Sequence, residues 1–167
     1  MSIRPRLAVV AAAVLLAALS AQAQNAGVRT EKNISLDLAN QLASATVAAC
    51  AANGYAVTAT VVDRAGGVRA MQRADNAGPH TVQASERKAF TSASAKAPTR
   101  VMLENVQKNP GAATLTDIPG FLVLGGGLPI KAGNEVIGAI GVGGAPGGHL
   151  DEQCAQTALD KFKADLS

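Results

Sequence analysis

The side chains with the most chemistry to offer are two histidines, a mid-helix lysine and a few arginines, all close to glycine- or proline-rich segments. His80 and His149 are the only histidines. A single imidazole can ligate haem iron, and propionates then need cations such as Arg73, Lys88 or Arg100. His80 is therefore the leading metal-ligand candidate, with a solvated or capping role as the competing reading. The two histidines lie far apart and lack a spaced carboxylate, so they make a poor zinc site. Lys88 sits within a run of small residues. Pointed into a cleft, it could neutralise a carboxylate or phosphate; otherwise it shares a solvated face with Glu86 and Arg87. Arg73 is followed closely by Asp75, so an ion pair competes with ligand contact there.

Gly143-Gly144-Ala145-Pro146-Gly147-Gly148 precedes a helical run that opens with Asp151-Glu152. Bare N–H groups ahead of a helix can hold an anion, or the glycines can simply let the helix approach the sheet. The spacing is neither a Walker loop nor the dinucleotide fingerprint. Ser85, Ser92 and Ser94 lack a histidine–acid partnership, and Cys50 lacks a base. No constellation specifies a reaction. Cys50 and Cys154 are the only cysteines. They are either a structural disulfide tying the first helix to the last or two buried free thiols.

These residues need a scaffold, and the chain supplies one domain. Residues 1–23 read as a signal peptide: Arg4 and Arg6 ahead of an apolar run from Leu7 to Leu19, then Ala21-Gln22-Ala23 as the cleavage pattern. The apolar run is shorter than the ~20 residues of a membrane span. The expectation is therefore a periplasmic or extracellular protein without stable membrane insertion. Without its two leader arginines, the chain has 13 basic residues against 12 acidic ones. No basic stripe or aromatic platform remains to suit nucleic acid. Tyr55, Phe90, Phe121 and Phe162 are the only aromatics. The core must be built from Ala, Val, Leu and Ile, so helices should pack closely.

Residues 24–34 read as a flexible lead and 35–167 as the folded domain. Ser35 suits an N-cap, with apolar positions recurring every three or four residues up to the stop at Asn53-Gly54. Tyr55 to Val62 and Val68 to Arg73 read as a hairpin around Asp63-Arg64-Ala65-Gly66-Gly67. Thr81 can cap a helix running to about Lys96, and a short helix is expected over Thr99 to Val106. After a loop from Pro110 to Pro119, Phe121–Leu124, Leu128–Lys131 and Val136–Val142 read as three short strands. A last helix presents Leu150, Cys154, Ala158, Phe162 and Leu166 on one face. The order α-β-β-α-α-β-β-β-α with tight turns predicts an α+β fold, an antiparallel sheet covered by helices.

Several linked motifs carry a resemblance. Val61-Val62-Asp63-Arg64-Ala65-Gly66-Gly67, Arg73-Ala74-Asp75, Glu86-Arg87-Lys88-Ala89-Phe90-Thr91 and Gly126-Gly127-Leu128-Pro129-Ile130 occur in that order. Gly138-Ala139-Ile140-Gly141-Val142-Gly143-Gly144 and Asp151-Glu152 follow. Over about residues 35 to 164 the chain resembles the GlcG/HbpS family of haem-binding and haem-degrading-like proteins, related to the C-terminal domain of PduO. The resemblance implies a five-stranded antiparallel sheet flanked by helices in a profilin-like arrangement, and assembly into homo-oligomers. Some members bind haem or a corrinoid, and an extracellular one is associated with haem degradation and redox sensing. Others occur beside glycolate, diol or alcohol oxidation enzymes. Lys88, Thr91 and Thr99 match the helical KA-x-T…T pattern, and Gly126, Gly127 and Pro129 match the GG-x-P turn. Gly143 stands where many relatives have Ser. Thr91, Gly126, Gly127, Gly143, Gly144 and His149 are thus candidates for shaping a ligand cleft.

Three readings follow. The first is an exported haem- or tetrapyrrole-binding protein with His80 as axial ligand. The second is an accessory protein binding a small organic acid through Lys88 or the glycine loop. The third is a non-catalytic oligomeric interaction module.

Overall fold

The structure, a computed structural model, describes residues 27–167. The leader and its cleavage site lie outside the described residues. Helix α1 spans Leu36–Ala51, and the Ser35 hydroxyl accepts the Leu38 N–H at 3.2 Å, satisfying one of the bare donors of the first turn. Its buried stripe is Ala39, Leu42, Ala43, Thr46 and Cys50. Gly54 then adopts φ 79°, the left-handed turn that favours glycine.

Strands β1 (Thr58–Asp63) and β2 (Val68–Arg73) form the expected hairpin. The turn is held by the Asp63 carboxylate, whose Oδ1 accepts the N–H groups of Ala65 and Gly67, each at 2.9 Å. Helix α2 (His80–Ala95) and helix α3 (Thr99–Lys108) follow, then a 3₁₀ turn over Pro110–Asp117. Strands β3 (Gly127–Ala132) and β4 (Glu135–Gly143) form a second hairpin. Helix α4 (Gly148–Lys161) and a 3₁₀ turn over Lys163–Leu166 end the chain. Thr81 lies inside α2 and is not its cap. The helix begins at His80, and the Thr81 hydroxyl instead donates to the Gly78 carbonyl at 2.6 Å.

Among the described residues the sheet has four antiparallel strands in the order β2-β1-β4-β3, which corrects the expected five. Phe121–Leu124, read as a strand, is irregular because its backbone is bonded elsewhere. Phe121 donates to Ile118 O at 3.0 Å, Leu122 to the Thr91 hydroxyl at 2.8 Å, and Leu124 to Leu122 O at 2.9 Å. The Phe121 carbonyl accepts the Arg87 guanidinium at 2.6 Å. A segment whose donors and acceptors are spent this way cannot join a ladder. The neighbouring edge of β3 is closed as well. Gly127 N–H donates to Thr99 Oγ1 at 2.9 Å, and Pro129 has no N–H to offer.

Side-chain alternation divides β1 and β4 between two layers. Val57, Ala59, Val61, Ile140 and Val142 pack with α1 and α4 in the main core, which also holds Leu42, Ile130, Ala155 and Ala158. The opposite face meets α2 and is small and partly polar. Thr58 and Thr81 share a hydrogen bond of 2.7 Å, Thr60 and Ser85 another of 2.7 Å, and Val62, Ala89, Ala93 and Ala139 complete the layer. Cys50 and Cys154 are joined, clamping the last turn of α1 to α4 across a sequence separation of 104 residues.

Gly141 on β4 sets how closely α2 approaches. A Cβ there would run into Ser85 O and come within 2.5 Å of Ala89 N, both backbone atoms that cannot swing aside. Gly141→Ala is therefore expected to cost about 3 kcal/mol, the upper part of the overpacking range. Urea unfolding checks this; a midpoint equal to that of the parent protein would mean the helix rides outward freely.

Candidate functional site

A cleft of about 290 Å³ opens between α2 and the loop from Gly143 to Gly148. One wall is His80, Ala84 and Lys88, spaced four residues apart and so stacked on one face of α2. The other is the glycine loop, with Leu124 and Asp151 completing the lining.

Lys88 lies at the floor, 3% exposed, and its Nζ donates to Val142 O at 2.8 Å and to Asp151 Oδ2 at 2.9 Å. Asp151 is 2% exposed, and its Oδ1 accepts the Ala145 N–H at 3.0 Å. This one carboxylate therefore fastens α4 to α2 and pins the glycine loop. Burial pushes the Asp151 carboxyl above the usual carboxylate range, against the pull of Lys88 and the Ala145 N–H. Folding thus raises its affinity for a proton. That contribution to stability is complete below the ordinary carboxylate range and is lost as pH rises through the raised native value.

Gly126 makes room for this pair. It holds φ 122°, and a Cβ would lie 2.7 Å from both Lys88 Nζ and Val142 O. At Gly127 a Cβ would meet Lys88 O at 2.5 Å. These two glycines support the lysine from behind and do not line the cleft. Gly143 and Gly144 do line it, and Gly144, at φ 134°, passes so near Ala56 O that a Cβ would come within 2.5 Å.

His80 lies at the exposed start of α2 with its ring against Gly78, where a Cβ would approach Cε1 to 2.6 Å. Among the described residues, none hydrogen-bonds its imidazole. The other candidates are placed elsewhere. Arg73 is exposed, and its Nε and Nη2 both donate to the Ala77 carbonyl, so it neither lines the cleft nor pairs with Asp75. Arg100 pairs with Glu104 and, at 3.3 Å, with Glu152. Thr91 donates to Arg87 O at 2.7 Å and accepts Leu122 N–H, a structural role. His149 is exposed and lies outside the cleft lining, against Gly147. Sequence reasoning missed that Asp151 lines this cleft and pairs with Lys88, having placed it only as a favourable charge in a first helical turn.

The family profile "Haem degrading protein HbpS-like" matches residues 34–160, the whole scaffold of this cleft. The chain belongs to the HbpS-like family. It is similar to Protein GlcG of Escherichia coli strain K12, 34% identical over 109 residues, covering 63% of this chain and 80% of that protein. Its fold is similar to the crystal structure of a double mutant of HbpS from Streptomyces reticuli. That match has a TM-score of 0.77 and 38% identity, covering 82% of this chain and 92% of HbpS. It also shares its fold with PduOC, solved as a haem complex. There the TM-score is 0.69 and the identity 24%, over 77% of this chain and 94% of PduOC. The family is thus the one the sequence motifs resemble. Among the described residues of this family member, no helix is long and apolar enough to cross a membrane.

Proposed function

We propose that this HbpS-like chain is an exported, homo-oligomeric protein that binds haem or a related tetrapyrrole at the mouth of the cleft, with His80 as the iron ligand. The carrying observation is the imidazole of His80. It is exposed on the cleft wall with no hydrogen bond to a described residue, so both ring nitrogens are free for other partners. The family's haem-degrading description supports the same reading, and the PduOC complex is an instance of this fold holding haem.

The fit is selective. The cleft volume is just below the ~300 Å³ lower limit of drug-sized pockets, so a macrocycle would lie across the mouth, over Ala84 and Leu124. Lys88, Arg73 and Arg100, nominated for the propionates, are engaged by Asp151, Ala77 and two glutamates. Propionates would therefore face solvent or the N–H groups at the start of α4. Bound haem supplies iron-centred redox chemistry, and the protein would orient the ring and control access to it.

Hemin titration followed by absorbance is expected to shift the Soret band, and His80→Ala to alter that spectrum. A spectrum identical to free hemin at stoichiometric protein would reject binding. An unchanged spectrum in the variant would reject the ligand assignment.

A second reading is favoured by the cleft itself. Its size suits an acid of a few carbons, with Lys88 on one side and the glycine loop on the other. Calorimetry with glycolate-like acids tests it, and heats equal to dilution would dismiss it.

A further inference from the structure

We propose that the cleft takes up a small carboxylate together with one proton, held between Asp151 and the ligand over Lys88. This rests on the second reading above, that a small organic acid enters the cleft. Lys88 and Asp151 both line the cleft, and their contact at 2.9 Å leaves its floor with zero net charge. Each already has a backbone partner: Val142 O for the lysine and Ala145 N–H for the aspartate. An arriving carboxylate would place two anions on one ammonium group that is itself 3% exposed.

Among the described residues, no other cation is placed to balance the second anion. Arg100, on α3, is held by Glu104 and Glu152, and Glu152 adds its own negative charge beside Asp151. Arg73 is turned to Ala77. From α2 the cleft receives His80 besides Lys88, while the loop and β4 contribute only backbone groups; His149 of α4 lies outside the lining. Two carboxylates in contact do not both stay ionised, and one retains a proton. That proton sits at Asp151 Oδ2, the oxygen facing Lys88, and is donated towards the ligand. Lys88 keeps an N–H free for the same ligand, since its three donors have two partners here. Burial already biases Asp151 towards holding a proton.

Proton-linked binding has a quantitative signature. Above the carboxylate range, the association constant should fall about tenfold per pH unit, and each ligand should bring in about one proton from the buffer. A proton taken up by the ring of His80 would instead survive Asp151→Asn and vanish with the imidazole.

The test is calorimetry of the full chain with glycolate, near pH ~7.5, in phosphate and in Tris, whose ionisation heats differ. The proposal expects uptake of about one proton per glycolate and a slope that continues towards pH ~9. Asp151→Asn should bind glycolate at least about tenfold more tightly at that pH, without proton uptake, because Lys88 is then unopposed. Glycolate binding with no proton uptake, or with uptake that persists in Asp151→Asn, overturns the proposal and leaves the acid-binding reading standing. Weaker binding by a folded Asp151→Asn protein overturns it too. Absence of glycolate binding at every pH overturns both. Should that variant fail to fold, His80→Ala decides: proton uptake that disappears with the imidazole overturns the proposal, and uptake that remains supports it.

Discussion

Reduction of the Cys50–Cys154 bridge is expected to destabilise the protein by about 4–5 kcal/mol at most. The two cysteines are 104 residues apart, and closing so long a loop removes much of the freedom of the unfolded chain. Both cysteines are in the main core, and the bridge joins the last turn of α1 to the second turn of α4. Urea unfolding with and without reductant measures the effect, and Cys50→Ala with Cys154→Ala reproduces it without reductant. Coincident midpoints would show that packing of α1 on α4 does the work alone. Thiol titration of unreduced, denatured protein is the companion test, and two reactive thiols would remove the bridge.

Lys88→Met is expected to cost about 3–5 kcal/mol near neutral pH, because it leaves a buried carboxylate without its cation. Asp151 is 2% exposed, too deep for solvent to replace Lys88. The loss has a defined pH dependence. Without the ammonium group the native carboxyl binds its proton still more tightly, and a native state that holds more protons gains stability as pH falls. The deficit should therefore shrink between pH ~8 and pH ~5. Adding Asp151→Asn to Lys88→Met should restore most of the stability, since the buried charge goes with its partner. A single-variant loss below ~1 kcal/mol, or one that ignores pH, would contradict a buried and mutually dependent pair.

How much of this was legible depends on how far apart the interacting groups lie in sequence. Ser35 and the three-to-four spacing of α1 announce themselves locally, as does the Asp63–Gly67 turn. Phe121–Leu124 looks like a strand because it is short and apolar, yet its hydrogen-bond partners Thr91 and Arg87 are more than thirty residues upstream. Nothing near Phe121 in the sequence records them. The arginines show the same limit from the other side: sequence names a cation, but not the carbonyl of Ala77 or the glutamates that occupy it. His80 and Lys88 stand out for separate reasons. Their separation of two helical turns, with Ala84 between, is the pattern that places them together. Asp151 carries no such signal, because its partner is 63 positions away.

The closed edge of β3 has a consequence for how this protein meets others. With Gly127 committed to Thr99 and Pro129 offering no donor, an added strand would find too few groups on that side. Among the described strands, β2 is the other edge, at the far end of the order. Strand addition is therefore favoured at the β2 border over the β3 border. Two copies zipped together flank to flank at β2 would exhaust that border. A pair made this way is isologous and closed, and the poor donor set of β3 disfavours its extension into a fibre.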